Sequence, residues 1–152
     1  MIQKTELISF NEKIPMRLYS YNLNELKTHW HNGIEIILVL SGEISIIVND
    51  KAYSLKEDDI ILINRNELHE LIGNQPCNII SLLIDIEKLG INDDNLYFNC
   101  NSTEDTNQGR YYILKHELAK LVKVNAEKKM ENKYYNSSFI YSIIYTLMKN
   151  FK

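Results

Sequence analysis

The sequence lacks the features of secreted and membrane-spanning proteins. Its two cysteines, Cys77 and Cys100, do not form a CxxC pair, so we expect reduced, partly buried thiols and no disulfide framework. The N-terminus has no apolar segment of the signal-peptide type. The apolar run at residues 34–40 is interrupted by Glu35 and is far too short to span a bilayer. These absences predict a soluble, cytoplasmic protein that does not contact a membrane.

Basic clusters and glycine-rich loops are also missing. The 17 Lys and Arg residues against 20 Asp and Glu residues give a formal net charge of −3, and the basic residues do not form a long run. A chain with this balance is poorly suited to hold a nucleic-acid backbone by itself. Because only 5 glycines occur, a phosphate-cradling loop is not expected. The residues also offer no recognisable Ser–His–Asp or Cys–His nucleophile set.

Short apolar runs rich in Ile, Val and Leu occupy roughly the first two thirds of the chain. Turn residues separate these runs, and Asn49-Asp50 between two of them predicts a tight hairpin. Many short strands without a helical period predict an all-β sandwich or barrel. A further short strand is predicted at 96–100. The main predicted strands are residues 16–21, 34–40, 44–48, 52–55, 60–63 and 79–84.

Helical spacing replaces this pattern towards the C-terminus. Apolar residues recur at helical intervals from Tyr111 to Val122 and predict an amphipathic helix over roughly 107–128. A polar break is predicted at 132–136, after which Ser137-Ser138 is expected to cap a second helix. The apolar stripe predicted for the second helix consists of Ile140, Ile144, Leu147, Met148 and Phe151.

Three of the 4 histidines form a set with one glutamate. His29, His31 and Glu35 are close in sequence, and His69 follows much later. Residues two apart on a strand share a face, so His29 and His31 are expected to point the same way. If the strand that holds His69 lies beside them, imidazoles and a carboxylate converge on one point. Such ligands suit a divalent metal such as Zn, Mn, Fe or Ni, with coordination positions left open.

The spacing of these residues resembles the two sequence motifs of the cupin family. The first motif has HxH, three or four residues, Glu, six residues and Gly, and it is met here by His29, His31, Glu35 and Gly42. The second motif keeps its spacing to His69. Its usual Gly, Pro and Gly are replaced here by Asp58, Asn64 and Asn66. The resemblance implies a mainly β fold, a cupin double-stranded β-helix (jelly-roll barrel), and the periodicity adds two α-helices after it.

The longer run HWHNGIEIILVLSGEISIIVNDKAYSLKEDDIILINRNELHEL resembles the N-terminal domain of AraC-type transcription regulators. The resemblance implies an effector-binding barrel at 1–104 and a two-helix dimerisation segment at 105–152. It also implies a homodimer formed through the C-terminal helices and a small polar effector, such as a sugar. DNA would be bound only by a helix-turn-helix part C-terminal to this chain, so we expect a fragment of a longer regulator. The residues implied to bind the effector are His29, His31, Glu35, His69, Arg17 and Tyr19.

Other functions are compatible with the same residues. The three histidines and Glu35 also resemble the metal site of cupin isomerases and dioxygenases, in which the metal polarises substrate oxygens. Alternatively, the four side chains line a polar pocket without metal, or a barrel that serves dimerisation alone. Arg17 and Tyr19 are equally compatible with the surface of an edge strand. We expect Trp30 to pack on the outer face of the barrel, and His116 to be exposed on the first helix.

Overall fold

The computed structural model describes residues 2–11 and 13–152, which form an antiparallel β-structure followed by two α-helices. The strands are β1 (Ile2–Ile8), β2 (Met16–His29), β3 (Ile34–Ser41), β4 (Glu43–Val48), β5 (Lys51–Lys56), β6 (Ile60–Ile63) and β7 (His69–Ile84). A short 3-10 helix spans Glu87–Leu89. The helices are α1 (Gly109–Asn125) and α2 (Asn132–Asn150).

The two longest strands, β2 and β7, run through both layers of the barrel. Register shifts between Leu23 and Glu25 and between Leu26 and His29 bend β2 while it stays paired with β7. One layer has the strand order β1-β2-β7-β3-β6, and in the other β4 pairs with both β5 and the first residues of β7. The predicted jelly-roll barrel with two C-terminal helices is therefore confirmed.

Aliphatic side chains fill the interior of the barrel. Successive side chains of a strand point to opposite faces, so each strand sends every second residue inward. The inward core consists of Leu23, Ile37, Val39, Ile44, Ile46, Val48, Leu55, Ile61, Ile63, Leu71, Cys77 and Ile79. Strand β3 is buried on both faces, which explains why its sequence is a continuous apolar run.

The outer face of the β1-β2-β7-β3-β6 layer is covered by the two helices. Ile36 of β3 and Leu82 of β7 share one buried cluster with Leu118 of α1 and Ile143 of α2. The apolar stripes of the helices are thus used to cover the barrel of their own chain. None of the helices in the described ranges is long and apolar enough to cross a membrane.

The strand predicted at 96–100 is wrong. This segment approaches the edge strand β6 but forms only an isolated bridge between Asn101 and Ile61. The amide of Leu62 donates to the carbonyl of Cys100 over 2.8 Å, and Ser102 reaches Ile60 in the same way over 2.9 Å. The apolar residues of the segment are buried because they cover β6, although the backbone does not continue the ladder.

The predicted start of the second helix is also wrong. Helix α2 begins at Asn132, so Ser137 lies inside the helix and its hydroxyl donates to the carbonyl of Lys133 over 2.8 Å. The polar residues at 132–136 predict a break because an asparagine such as Asn136 is unusual on a buried helix face. It is buried here because its amide exchanges hydrogen bonds of 2.8 and 2.9 Å with the amide of Asn125 on α1.

Candidate metal centre

Three side chains that are close in sequence and a fourth that is distant meet at one end of the barrel. His29 ends β2 and pairs directly with His69, which begins β7. Glu35 is the second residue of β3, and His31 lies in the turn that joins β2 to β3. One ligand atom from each of these residues lies within 4.8 Å of the others. The predicted convergence of three imidazoles and a carboxylate is therefore present.

Each of the three imidazole rings is held in its orientation by a backbone carbonyl. The Nδ1 atoms of His29, His31 and His69 lie 2.7, 2.9 and 2.8 Å from the carbonyl oxygens of Lys27, Gly33 and Glu67. A carbonyl oxygen only accepts, so each Nδ1 donates its hydrogen. In the neutral ring the lone pair is then on Nε2. Hydrogen bonds of this kind fix the tautomer of metal-binding histidines and turn the free nitrogen towards the ion.

Glu35 lies at the bottom of the cluster and is 8% exposed. Its Oε2 atom is 3.0 Å from Nε2 of His31 and 3.2 Å from Nε2 of His69. The hydroxyl of Ser81 donates to its other oxygen, Oε1. Burial alone would raise the pKa of this carboxyl, but the hydrogen bonds from His31, His69 and Ser81 hold the pKa well below its usual range. Glu35 is therefore a carboxylate at neutral pH.

His31 carries positive charge more readily than an ordinary histidine. Burial lowers the pKa of its ring, but the hydrogen bond and the charge of Glu35 more than offset this effect, so the pKa is raised above 6.5. Both ring nitrogens face oxygen acceptors, namely Gly33 O and Glu35 Oε2. A doubly protonated ring satisfies both acceptors, which agrees with the raised pKa.

The donor set fits a divalent metal ion. Three imidazole nitrogens and one carboxylate oxygen form the mixed shell that Zn, Mn, Fe and Ni accept. His69 is 1% exposed, whereas His29 and His31 are only half-buried, so solvent reaches the cluster from their side. The cluster could therefore hold an ion and would leave further positions open to small oxygen ligands.

Two turn residues that stand in place of motif glycines adopt the left-handed backbone conformation. Asp58 and Asn66 replace glycines of the second motif, and they have φ angles of 73° and 61°. Asp and Asn are among the residues that best tolerate this left-handed region, so the turns persist without glycine. The amide of Asn66 donates to the carbonyl of His31 over 2.9 Å, which ties the turn before β7 to the turn that carries His31.

Arg65 strengthens the same connection, and sequence reasoning missed it. Its Nε donates to the carbonyl of Asn32 over 3.2 Å, and its Nη2 to the side-chain oxygen of Asn32 over 3.1 Å. The guanidinium also pairs with Glu87 of the 3-10 helix. The arginine stands between Asn64 and Asn66, in the replaced part of the second motif, but nothing in the sequence indicates its partner.

Arg17 and Tyr19 do not belong to the four-residue cluster. The guanidinium of Arg17 lies over the ring of Phe10, 5.5 Å from its centroid. Tyr19 is buried under the Lys4 ammonium, which lies 3.9 Å from its ring centroid. Tyr21, in contrast, is influenced by the charge of the cluster. Burial and then the charge of Glu35 raise the pKa of Tyr21 to about 12. A role of Arg17 and Tyr19 in effector binding stays a prediction.

Of the remaining predictions, the one for Trp30 is wrong. Its side chain is 64% exposed because the residue follows the last position of β2, where no neighbouring strand covers it. His116 is exposed as expected. Cys77 and Cys100 are both buried free thiols, which also agrees with the prediction.

Comparisons with known proteins agree with this architecture. Residues 23–83 match the family model of the cupin domain named Cupin_2. A search of curated proteins finds no significant match. Among solved structures, a cupin-like protein of Thermotoga maritima is 18% identical, with a TM-score of 0.53 over 57% of this chain and 71% of its own.

Two further structures of similar rank show the same fold. A conserved protein of unknown function from Streptococcus pyogenes is 16% identical, with a TM-score of 0.52 over 55% of this chain and 74% of its own. A cupin superfamily protein of Desulfitobacterium hafniense is 14% identical, with a TM-score of 0.52 over 55% and 77%. The chain therefore has the cupin fold, and the four-residue cluster lies within the segment 23–83 that matches the Cupin_2 model.

Proposed function

We propose that this chain is a ligand-sensing and dimerisation domain of an AraC-type transcription regulator, and that its cupin barrel holds a divalent metal ion. The observation that carries the metal proposal is the arrangement of His29, His31 and His69 around Glu35. All three Nδ1 atoms are held by backbone carbonyls, so the Nε2 atoms need no rearrangement to bind an ion.

The residues of the site divide the work of binding. His69 and Glu35 are buried and form the fixed part of the shell, whereas His29 and His31 border the opening. A metal ion bound here would act as a Lewis acid towards small oxygen ligands. The proposed effector is a small polar molecule, for which a sugar is the example that the AraC resemblance implies. Ser81 holds the Glu35 carboxylate in place.

The proposed homodimer requires the outward faces of α1 and α2, because the inward faces cover the barrel. Three tyrosines of the outward face of α2, Tyr134, Tyr141 and Tyr145, are 64–70% exposed. Tyrosine is enriched in protein interfaces. In this proposal residues 1–104 sense the effector, residues 105–152 dimerise, and a helix-turn-helix part C-terminal to them binds DNA. An effector acts by binding one dimer arrangement more tightly than the other.

Sedimentation analysis of the 152-residue protein tests the dimer. We expect a dimer in the wild type and a monomer when Tyr141→Glu and Tyr145→Glu place charges on the outward face of α2. The matched control is Tyr97→Glu, because Tyr97 is also exposed but lies outside the helices. A monomeric wild type would refute the dimer without affecting the metal proposal.

Calorimetric titration of chelator-treated protein with Zn²⁺, Mn²⁺ and Ni²⁺ tests the metal site. We expect one equivalent of at least one ion to bind, and Glu35→Gln to weaken the binding by about a hundredfold, in the range seen for losses around metal ligands. The control is Glu43→Gln, since Glu43 is an exposed glutamate that accepts a hydrogen bond from Ser54 over 3.0 Å. Equal affinity in both variants would place the ion elsewhere.

A metal-dependent enzyme of the isomerase or dioxygenase type is the second candidate. It is favoured by the half-buried His29 and His31, which leave the proposed ion open to a substrate. Oxygen uptake by the Fe²⁺-loaded protein with catechol substrates, and isomerisation of keto and aldo sugars by the Mn²⁺-loaded protein, distinguish the two functions. Turnover that is lost in Glu35→Gln but kept in Glu43→Gln would favour the enzyme.

A further inference from the structure

A cavity of about 520 Å³ opens at the side of the barrel. It lies between the β4–β5 hairpin and the segment that leads from Tyr97 into α1. None of the four residues of the metal centre is part of its lining. The interior of the barrel is filled by aliphatic side chains, so this cavity offers a small organic molecule room that the interior does not.

Four aromatic residues contribute to the cavity wall. Tyr53 comes from β5, Tyr97 and Phe98 from the segment before α1, and Tyr111 from α1 itself. Phe98 and Tyr111 are buried and fix the wall, whereas Tyr97 is 51% exposed and stands at the rim. Aromatic faces next to polar groups suit molecules that have both apolar and hydroxyl-bearing surfaces.

The charges of the lining disfavour an anionic occupant and offer a cation only one carboxylate that is not already in an ion pair. Lys51 is paired with Glu104 over 2.9 Å, and Arg110 is paired with Asp105. A third carboxylate in the lining, Glu67, has no cationic partner among the described ion pairs. Because the two cations are already neutralised and one carboxylate is in excess, an anionic ligand would be repelled. A cationic ligand would have to displace the existing pairs or rely on Glu67 alone.

Two residues that line the cavity each have a buried N–H group without an acceptor among the described residues. The two groups are Nδ2 of Asn101 and Nε of Arg110. The oxygen of the Asn101 amide is already used, because it accepts from the amide and the hydroxyl of Thr103 over 3.0 and 2.7 Å. Buried donors normally have partners. An oxygen-rich ligand would supply the missing acceptors after a small adjustment of these side chains.

Arg110 connects the cavity to the C-terminal end of α2. Its Nη1 donates to the carbonyl of Asn150 over 2.7 Å, and its guanidinium lies 4.7 Å from the ring centroid of Phe151. From the segment before α1, the amide of Asn99 donates to the carbonyl of Phe151 over 2.7 Å. A ligand that moves Arg110 therefore acts directly on the end of the helix pair.

We propose that this side cavity binds a neutral, hydroxyl-rich molecule of monosaccharide size, and that Arg110 relays its binding to the C-terminal end of α2. The proposal rests on the sensor function proposed above and places the organic effector in a site separate from the metal. The two sites share Glu67, which lines the cavity and whose carbonyl holds the His69 ring. None of the four cluster residues lines the cavity, so each site can be tested without changing the other.

Nitrogen-15 NMR of the full chain tests the proposal, because the side-chain N–H groups of Asn101 and Arg110 give their own signals. The probes are D-glucose, D-xylose and myo-inositol, compared with the anionic D-glucuronate and the cationic D-glucosamine. We expect at least one neutral probe to shift both signals and the Phe151 amide in a saturable way, and the charged probes to bind more weakly. If none of the neutral probes shifts these signals, or if a charged probe binds more tightly, the proposal is wrong.

Variants then locate the binding and separate it from the metal centre. Tyr97→Ala removes an exposed wall of the cavity and should weaken sugar binding about tenfold, in the range of a lost stacking contact. Met130→Ala, which removes an exposed side chain between α1 and α2 and outside the cavity, should leave it unchanged. Equal loss in both variants would overturn the assigned site. Glu35→Gln should lose metal binding but keep the sugar response, so failure of one function is distinguishable from failure of the other.

Discussion

The Nδ1 atom of His31 lies 2.9 Å from the carbonyl oxygen of Gly33, and the same glycine has no space for a side chain. A Cβ atom at Gly33 would lie 2.6 Å from the carbonyl oxygen of Ile84 and 3.0 Å from Cδ1 of Leu83. The turn that orients His31 can therefore approach β7 only because residue 33 is glycine. One residue thus links the packing of the barrel to the geometry of the metal centre.

Gly33→Ala should damage both the fold and the metal site. The new Cβ meets backbone, which cannot move aside cheaply, so we expect a loss of about 1–3 kcal/mol in the free energy of unfolding. The displaced carbonyl releases the His31 ring, and metal affinity should fall about tenfold or more. Urea denaturation and calorimetric metal titration measure the two effects.

Gly109→Ala is the matched control for this variant. The nearest atom to a Cβ at Gly109 is Oδ1 of Asn107 at 3.6 Å, an ordinary contact, and the residue begins helix α1. The control should bind metal like the wild type and be equally stable or slightly more stable. Metal affinity in Gly33→Ala equal to that of Gly109→Ala would show that the turn does not position His31.

Ser81→Ala should destabilise the protein because it leaves one oxygen of the buried Glu35 carboxylate without its donor. We expect a loss of about 1–3 kcal/mol in the free energy of unfolding, typical of an unsatisfied buried polar group. The control is Ser54→Ala, because Ser54 also donates to a glutamate, Glu43, but at the surface. Its effect should be within about 0.5 kcal/mol. Equal effects in the two variants, measured by chemical denaturation, would contradict the role of Ser81 in satisfying the buried Glu35 carboxylate.

The convergence of the four side chains could be predicted from the sequence because strand alternation and motif spacing determine which side chains share a face. His29, His31 and Glu35 have the same parity, and their convergence with His69 follows from the pairing of β2 with β7. The hydrogen bonds that orient the rings could not be predicted, since they depend on turn conformations around Lys27, Gly33 and Glu67. The side cavity was missed for a similar reason, because it is formed by an irregular segment without periodicity.

The predicted start of helix α2 is wrong for a different physical reason. Sequence reasoning treats a run of polar residues as a break, but Asn136 is buried because a second asparagine on α1 satisfies its amide. Such a pair is not visible in either helix alone. The prediction that Trp30 packs on the outer face of the barrel is wrong because side chains alternate between the two faces only within a strand. Strand β2 ends at His29, one residue before Trp30.

The buried Asn125–Asn136 pair should show strong coupling in a double-mutant cycle. Either single change to Leu leaves the remaining amide buried without its partner, which should cost about 1–3 kcal/mol of the free energy of unfolding. The double variant Asn125→Leu with Asn136→Leu removes both amides and should lose less than the sum of the single losses. Thermal and urea denaturation of the four proteins measure the coupling, and additive losses would contradict a functional amide pair.

The two thiols should be unreactive in the folded protein. Burial raises the pKa of Cys100 to about 12 and also raises that of Cys77, so neither forms much thiolate near pH 8. A chromogenic disulfide reagent should detect no rapid reaction in native protein and both thiols in urea. Ser138→Cys, which places a thiol on the exposed face of α2, is the positive control and should react at once. Rapid native reaction of either natural cysteine would contradict its burial.

Metal affinity should rise with pH across the titration of His31. The raised pKa of His31 means that the metal-free ring is still protonated somewhat above pH 6.5, and an ion must displace this proton. The low pKa of Glu35 keeps its carboxylate available throughout this range, so the proton on His31 is the one that competes with the ion. Below the raised pKa, affinity should fall about tenfold per pH unit for each proton displaced, and above it the curve should level off.

Glu35→Gln removes the charge that raises the pKa of His31, so the midpoint of the pH dependence should move to lower pH, whereas His116→Ala should keep the wild-type midpoint. Calorimetric titrations in buffers of different ionisation enthalpy count the released protons. If the midpoint of the pH dependence of metal affinity is the same in Glu35→Gln as in the wild type, the His31 proton does not compete with the ion.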